Sequence, residues 1–107
     1  LNLGVRPHMR DRAEFERAVQ VVRQVIREWD PYGLLASGAP ADEFDAEIFL
    51  LVSRIPRITS EALAAQSVSE VFSARFERDI FTPEACAETG RELFARLAAA
   101  GLLAGSN

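Results

Sequence analysis

Asp42-Glu43-Phe44-Asp45-Ala46-Glu47-Ile48-Phe49-Leu50-Leu51-Val52-Ser53-Arg54-Ile55 can be read in two ways. Its centre, Ile48 to Val52, is a five-residue apolar run of the size that fills a buried strand. The flanks decide against a strand. Asp42, Glu43 and Asp45 gather where a helix N-terminus carries partial positive charge, and Phe44, Ile48, Leu51, Val52 and Ile55 recur at helical spacing. The segment therefore reads as a helix that begins near Ala41 or Asp42 and is stopped by Pro56. Phe49 and Leu50 fall off its stripe, so the helix is apolar nearly all round. It is either the central helix or one that offers a face to a partner, and a weak homodimer through it is expected.

Upstream, Phe15, Val19, Val22, Ile26 and Trp29 follow one another at spacings of four, three, four and three, and Ala18 and Val25 widen the stripe. Asp11 with Glu14 three positions on makes a capping-box start. A first helix is expected from about Arg12 to Glu28. Pro31 ends it and disfavours helical dihedrals at Asp30, which is expected to be extended. Asp30-Pro31-Tyr32-Gly33 then suits a type I turn: Asp accepts backbone N–H bonds, Pro has its dihedral pre-set and Gly closes the turn. Leu34 and Leu35 should return to the core, and Ser37-Gly38-Ala39-Pro40 makes a second loop. Asp30 to Ala41 is thus a twelve-residue connection, a length at which loops in compact domains tend to be ordered or functional. Trp29 is expected to pin it to the core. Trp29, Pro31, Gly33, Gly38, Pro40 and Phe44 are its structural residues.

Downstream, Thr59 or Ser60 caps a third helix whose candidate core positions are Leu63, Val68, Val71, Phe72 and Phe76, with a weak point over Gln66 to Ser69. Phe81-Thr82-Pro83-Glu84 starts a fourth: Thr caps, Pro takes the first helical position, Glu favours the N-terminus and Phe81 staples onto Cys86. That helix carries Cys86, Leu93, Phe94 and Leu97 inward and stops at Gly101, after which Leu102 and Leu103 fold back. The fold class is all-α, a compact bundle of four helices with a long ordered loop between the first two. Residues 11–104 form one domain, preceded by an extension over 1–10 and followed by a frayed 105–107.

The 107 residues are enough for a core without disulfide or metal staples, and 49% hydrophobic with 26% charged is the balance of a soluble globular protein. No apolar run reaches membrane-helix length. A net charge of −4 opposes general phosphate-backbone binding. All 12 cations are Arg, so neither a Schiff-base nor a P-loop lysine exists. The lone Cys86 can form no intrachain disulfide, in keeping with a cytoplasmic setting. Leu1 to Pro7 lacks the charged start and apolar core of a signal peptide, and a native start near Met9 is expected.

Five carboxylates, Glu28, Asp30, Asp42, Glu43 and Asp45, lie within eighteen residues. Together with Glu47 they offer oxygen ligands for a hard cation, but their spacing is not that of an EF-hand, and capping and solvated surface account for Asp42, Glu43 and Asp45. Cys86 and any serine lack a base, since the single His8 sits in the extension. Two-carboxylate hydrolysis has no pair of acids in contrasting surroundings. Arg54, Arg57, Arg75 and Arg78 are interspersed with acids, and the third helix offers only Gln66, Ser67 and Ser69 to read bases, so nucleic acid is not an expected partner. No catalytic residue, metal or cofactor is expected.

Glu28-Trp29-Asp30-Pro31, then Gly33-Leu34, Gly38-Ala39-Pro40 and Asp42-Glu43-Phe44-Asp45 resemble the signature of the YugE-like family. These are small bacterial helical proteins of unknown function that typically read WDP-x-G-L…GAP-x-DE-[YF]-D. The order of Phe72, Phe76, Phe81-Thr82 and Cys86 agrees, and the likeness runs over nearly all of Phe15 to Leu103. The resemblance implies a compact four-helix fold and a bacterial origin, and carries no activity. Similar WDP-type helical domains look like some immunity proteins of bacterial toxin systems.

Two functions are expected from different classes. One is a non-enzymatic module that binds a protein through an acidic patch made by Asp30, Tyr32, Asp42, Glu43 and Asp45, with toxin neutralisation as a concrete version. The other is a small-molecule or metal-binding domain that uses Glu28, Asp30, Asp42, Glu43 and Asp45.

Overall fold

The structure is a computed structural model that describes residues 12–77 and 79–103. The extension, the Asp11 cap, Arg78 and the C-terminal end lie outside the described residues. The apolar stripe of the first helix forms α1, Arg12–Trp29, which buries Ala18, Val19, Val22, Val25 and Ile26. Within the 42–55 segment Asp45–Arg54 forms α2, so the helical reading holds, but residues 41–44 are a turn and the helix starts later than expected; no strand is present among the described residues. Ile55–Arg57 tightens into a 3-10 turn around Pro56, and Ile55 and Ile58 are fully buried on either side of it. α3 spans Glu61–Arg75 and α4 spans Ala87–Ala99.

Neighbours in sequence are neighbours in space: α1 lies against α2, α2 against α3, α3 against α4, and α4 closes onto α1. The core inside this ring is one cluster, with Ile26, Phe44, Ile48, Leu51, Phe72, Leu93 and Leu97 all at 1% exposure or less. The α3–α4 crossing is the tightest. A Cβ added to Gly90 would lie 2.5 Å from the backbone nitrogen of Ala65, so only glycine lets the helices meet there.

Ser60 is the N-cap of α3 and accepts the Leu63 N–H at 3.1 Å. α3 runs unbroken through its weak point. Ser67 and Ser69 are buried there, and Ser69 and Ser73 both donate their hydroxyls to the Phe81 carbonyl. The serines tie α3 to the chain that returns past it. Thr82 accepts the Ala85 N–H at 3.1 Å as a cap, but Pro83 to Cys86 form only a turn and the regular helix begins at Ala87. At the far end Gly101, with φ 71°, turns the chain so that the Leu102 N–H reaches the Leu97 carbonyl at 2.9 Å and Leu102 is buried.

Two expected core residues are on the surface. Phe15 is 40% exposed and stacks on Phe49, and Leu63 is 39% exposed. Each lies near a helix start, and Phe15 is covered only in part, by Phe49 of α2.

Candidate functional site

The segment after α1 departs from its expected conformation at its first residue. Asp30 has φ 47° and ψ 65°, left-handed rather than extended. It occupies the place glycine usually takes after a helix, and its N–H completes α1 by donating to the Ile26 carbonyl at 2.9 Å. The side chain supplies the reason. Asp30 Oδ1 accepts the Leu35 N–H at 2.8 Å and Oδ2 accepts the Ala36 N–H at 3.0 Å. Two charge-assisted bonds hold the loop closed and offset a left-handed strain of about 1–2 kcal/mol.

The turn type changes too. The Gly33 N–H donates to the Asp30 carbonyl at 2.8 Å, but Tyr32 has φ 66° and ψ 3°, as at the third position of a type II turn, where glycine is the usual residue. The loop continues as hydrogen-bonded turns, with Ala39 N–H on the Leu34 carbonyl at 2.9 Å, and Gly38 also takes a positive φ of 104°. Leu34 and Leu35 pack half-buried against the core. Arg27 fastens the far end by donating to the Ala41 carbonyl at 2.8 Å. Phe44, 1% exposed, is the residue at which the loop enters α2.

Beneath this loop lies an aromatic group assembled from three parts of the chain. Trp29 meets Phe72 edge-on at 5.0 Å and Phe81 at 5.8 Å. Phe72 also touches Phe44, Phe76 and Phe81. Tyr32 caps the group, 5.7 Å from Phe76 and 5.5 Å from Phe81 in edge contacts, while half of its surface stays in solvent. Its hydroxyl donates to Glu77 Oε1 at 3.1 Å. Partial desolvation, and then the Glu77 carboxylate, push the Tyr32 phenol up from its ordinary range. A cleft of about 240 Å³ opens beside it, lined by Trp29, Pro31, Tyr32, Ile80, Phe81 and Ala85.

The carboxylates of the segment do not converge. Glu28 is held by Arg96 at 2.8 Å, and that hydrogen bond keeps it below the ordinary carboxylate range. Asp30 is committed to the loop backbone. Asp45 faces Arg23 at 3.5 Å and is half-buried, and Asp42 and Glu43 are exposed. The N-cap position of α2 is Phe44, and no side-chain oxygen accepts a capping N–H there. Among the described residues no three His, Cys, Asp or Glu side chains gather in a manner that could hold a metal ion. Glu47, named in the sequence among possible cation ligands, is buried on α2 and paired with Arg75 at 3.0 Å.

Nucleophile chemistry has little to work with. Cys86 is fully buried, and burial pushes its thiol up to about 11, so it stays neutral and shielded. What the site presents is a rigid aromatic ring over an aromatic floor, with a carboxylate at its hydroxyl. The sequence signal for the floor was the recurrence of Phe72, Phe76 and Phe81, but nothing local pairs them with Trp29 and Tyr32. Comparisons with protein-family models, with curated proteins and with solved structures find no match to this chain.

Proposed function

We propose that this chain is a non-enzymatic interaction module that docks a basic protein partner on the surface around Tyr32. The observation that carries the reading is the condition of Tyr32. A half-exposed aromatic ring is held in a left-handed backbone conformation, buttressed by Phe76 and Phe81 and tethered to Glu77. Non-glycine residues with positive φ cost of order 1–3 kcal/mol and concentrate where function maintains them. A pre-ordered tyrosine is also the kind of side chain that anchors interfaces, because little entropy remains to be lost on binding.

Charge supplies the partner's character. Net charge is −4, and Asp42 and Glu43 stand exposed and outside every ion pair found among the described residues. Such a surface favours encounter with a basic partner. Neutralisation of a toxin is the concrete version of this role; the YugE-like resemblance supports a bacterial origin, and the lone Cys86 fits a cytoplasmic setting. No helix among the described residues is long and apolar enough to cross a membrane.

The test is affinity capture from source-cell extract, with wild type and Tyr32→Ala as parallel baits. A partner held by wild type, lost with Tyr32→Ala and eluted by salt supports the reading. Identical recoveries from both baits end it.

A further inference from the structure

α2 is built inside out. Its one mid-helix charge, Glu47, points into the protein, and its outward stripe, Ala46, Phe49, Leu50 and Ser53, carries no charge at all. Phe49 and Leu50 are 46% and 43% exposed, in a chain of which 26% of residues are charged. Phe15 of α1 lays its ring parallel to Phe49, 6.5 Å away and 4° from coplanar direction, which widens the apolar face. Even the serine is quiet: the Ser53 hydroxyl donates to the Leu50 carbonyl of its own helix and so asks nothing of solvent.

The stripe is also symmetric about its own midpoint. Reversing the helix about the point between Phe49 and Leu50 exchanges Phe49 with Leu50 and Ala46 with Ser53, so large residues meet large and small meet small. The same operation exchanges Asp42 with Arg57. Both are exposed and outside every ion pair found among the described residues. Asp42 lies in the turn before α2 and Arg57 in the 3-10 turn after it, so the acid and the base stand beyond opposite ends of the helix.

We infer that α2 is the interface of a symmetric homodimer, in which two copies pack their α2 helices antiparallel. Phe49 of one copy sits over Leu50 of the second, and Asp42 of each copy faces Arg57 of the other. Only an isologous pairing makes both the size pattern and the charge pattern complementary to themselves. The face uses neither Tyr32 nor its aromatic floor and shares only Asp42 with the function proposed above, and the Phe49 and Ala46 variants leave Asp42 unchanged, so the two readings are tested separately.

The experiment is sedimentation equilibrium of the full chain from low micromolar to millimolar concentration at moderate salt, with far-UV circular dichroism confirming the fold of each variant. Wild type should approach twice the 11.8 kDa of one chain at high concentration. Phe49→Glu, or Ala46→Glu if the first fails to fold, should weaken association at least tenfold. Asp42→Arg and Arg57→Asp should each weaken it severalfold, and the two combined should recover most of the loss. A wild-type chain that remains monomeric at millimolar concentration overturns the inference. So does a Phe49→Glu chain that dimerises like wild type. A double exchange no better than its single components rejects the antiparallel register.

Discussion

Arg75 places its Nε 3.0 Å from Oε2 of Glu47, and the two ends of this ion pair lie in different surroundings: the arginine side chain is half exposed, while Glu47 retains 3%. Oε1 of Glu47 is buried without a hydrogen bond. A carboxylate so placed depends on one neighbour for its compensation, because removing either charge of a buried pair leaves the other desolvated and unmatched.

Arg75→Ala is therefore expected to destabilise the fold by about 2–3 kcal/mol, well beyond the ~1 kcal/mol or less of an exposed ion pair. Replacing both partners, as Glu47→Met with Arg75→Met, should recover most of that loss, since well-packed apolar pairs substitute for buried ion pairs at little net cost. Urea unfolding of the two single variants and the double closes the cycle. A double variant as unstable as the sum of the singles would show that the pair contributes through packing rather than charge.

Asp30 carries two separable contributions. Asp30→Ala loses the bonds to Leu35 and Ala36, so the left-handed strain that Asp30 already bears is no longer offset, which should cost about 2–4 kcal/mol. Asp30→Gly loses the same bonds but is free of the backbone strain, so it should be the more stable of the two by about 1 kcal/mol. Equal midpoints in chemical denaturation would mean that Asp30 abandons its left-handed conformation once the carboxylate is gone.

Gly90 tests the α3–α4 crossing. Alanine raises helix propensity by about 1 kcal/mol, yet here its Cβ would press within 2.5–2.8 Å of the Ala65 backbone and Cβ, which cannot swing aside as a flexible side chain would. Overpacking of this kind typically costs about 1–3 kcal/mol. Gly90→Ala should lower the thermal midpoint despite the better helix former. A raised midpoint would place the two helices further apart than the structure has them.

The contrast among these residues explains how much the sequence could reveal. The stripe on α1, the Ser60 and Thr82 caps and the Gly101 stop are decided within one or two helical turns, so period and composition were sufficient to place four helices. Asp30 and Tyr32 escaped because the preference of a residue before proline is weak beside two bonds from a carboxylate to amides five and six residues on. Glu47 escaped for a different reason. It follows Asp45 and precedes Ile48, which suits an exposed first turn, and only the arrival of Arg75 from α3 makes its burial tolerable. Phe15 was the converse case, a residue in register with a core stripe whose only ring contact among the described residues is the similarly exposed Phe49 of α2. Of the residues expected to bind a partner, Asp42 and Glu43 are exposed and Tyr32 is half-exposed, whereas Asp30 accepts backbone N–H bonds, as its place in the turn suggested, and Asp45 faces Arg23 of α1, which sequence spacing did not disclose.

Cys86 gives the fold a measurable response to alkali. Burial holds its thiol protonated up to about 11, against an ordinary 9.0 that the unfolded chain regains. Between those values the folded state binds more protons than the unfolded one, so stability should be unaffected below pH 9 and fall as pH rises from 9 to 11. The slope for one group is at most about 1.4 kcal/mol per pH unit. Tyr32, also shifted upward, adds a loss of the same sign at higher pH. Denaturation of wild type and Cys86→Ala at stepped pH separates the two, because the variant keeps the tyrosine contribution and loses the steeper fall beginning near pH 9. Alkylation provides the kinetic counterpart: at pH 8 the native thiol should react far more slowly than a free one and reach full reactivity in urea. Native labelling at the rate of an unshielded thiol, with no difference in alkaline slope between the two proteins, would place Cys86 outside the core.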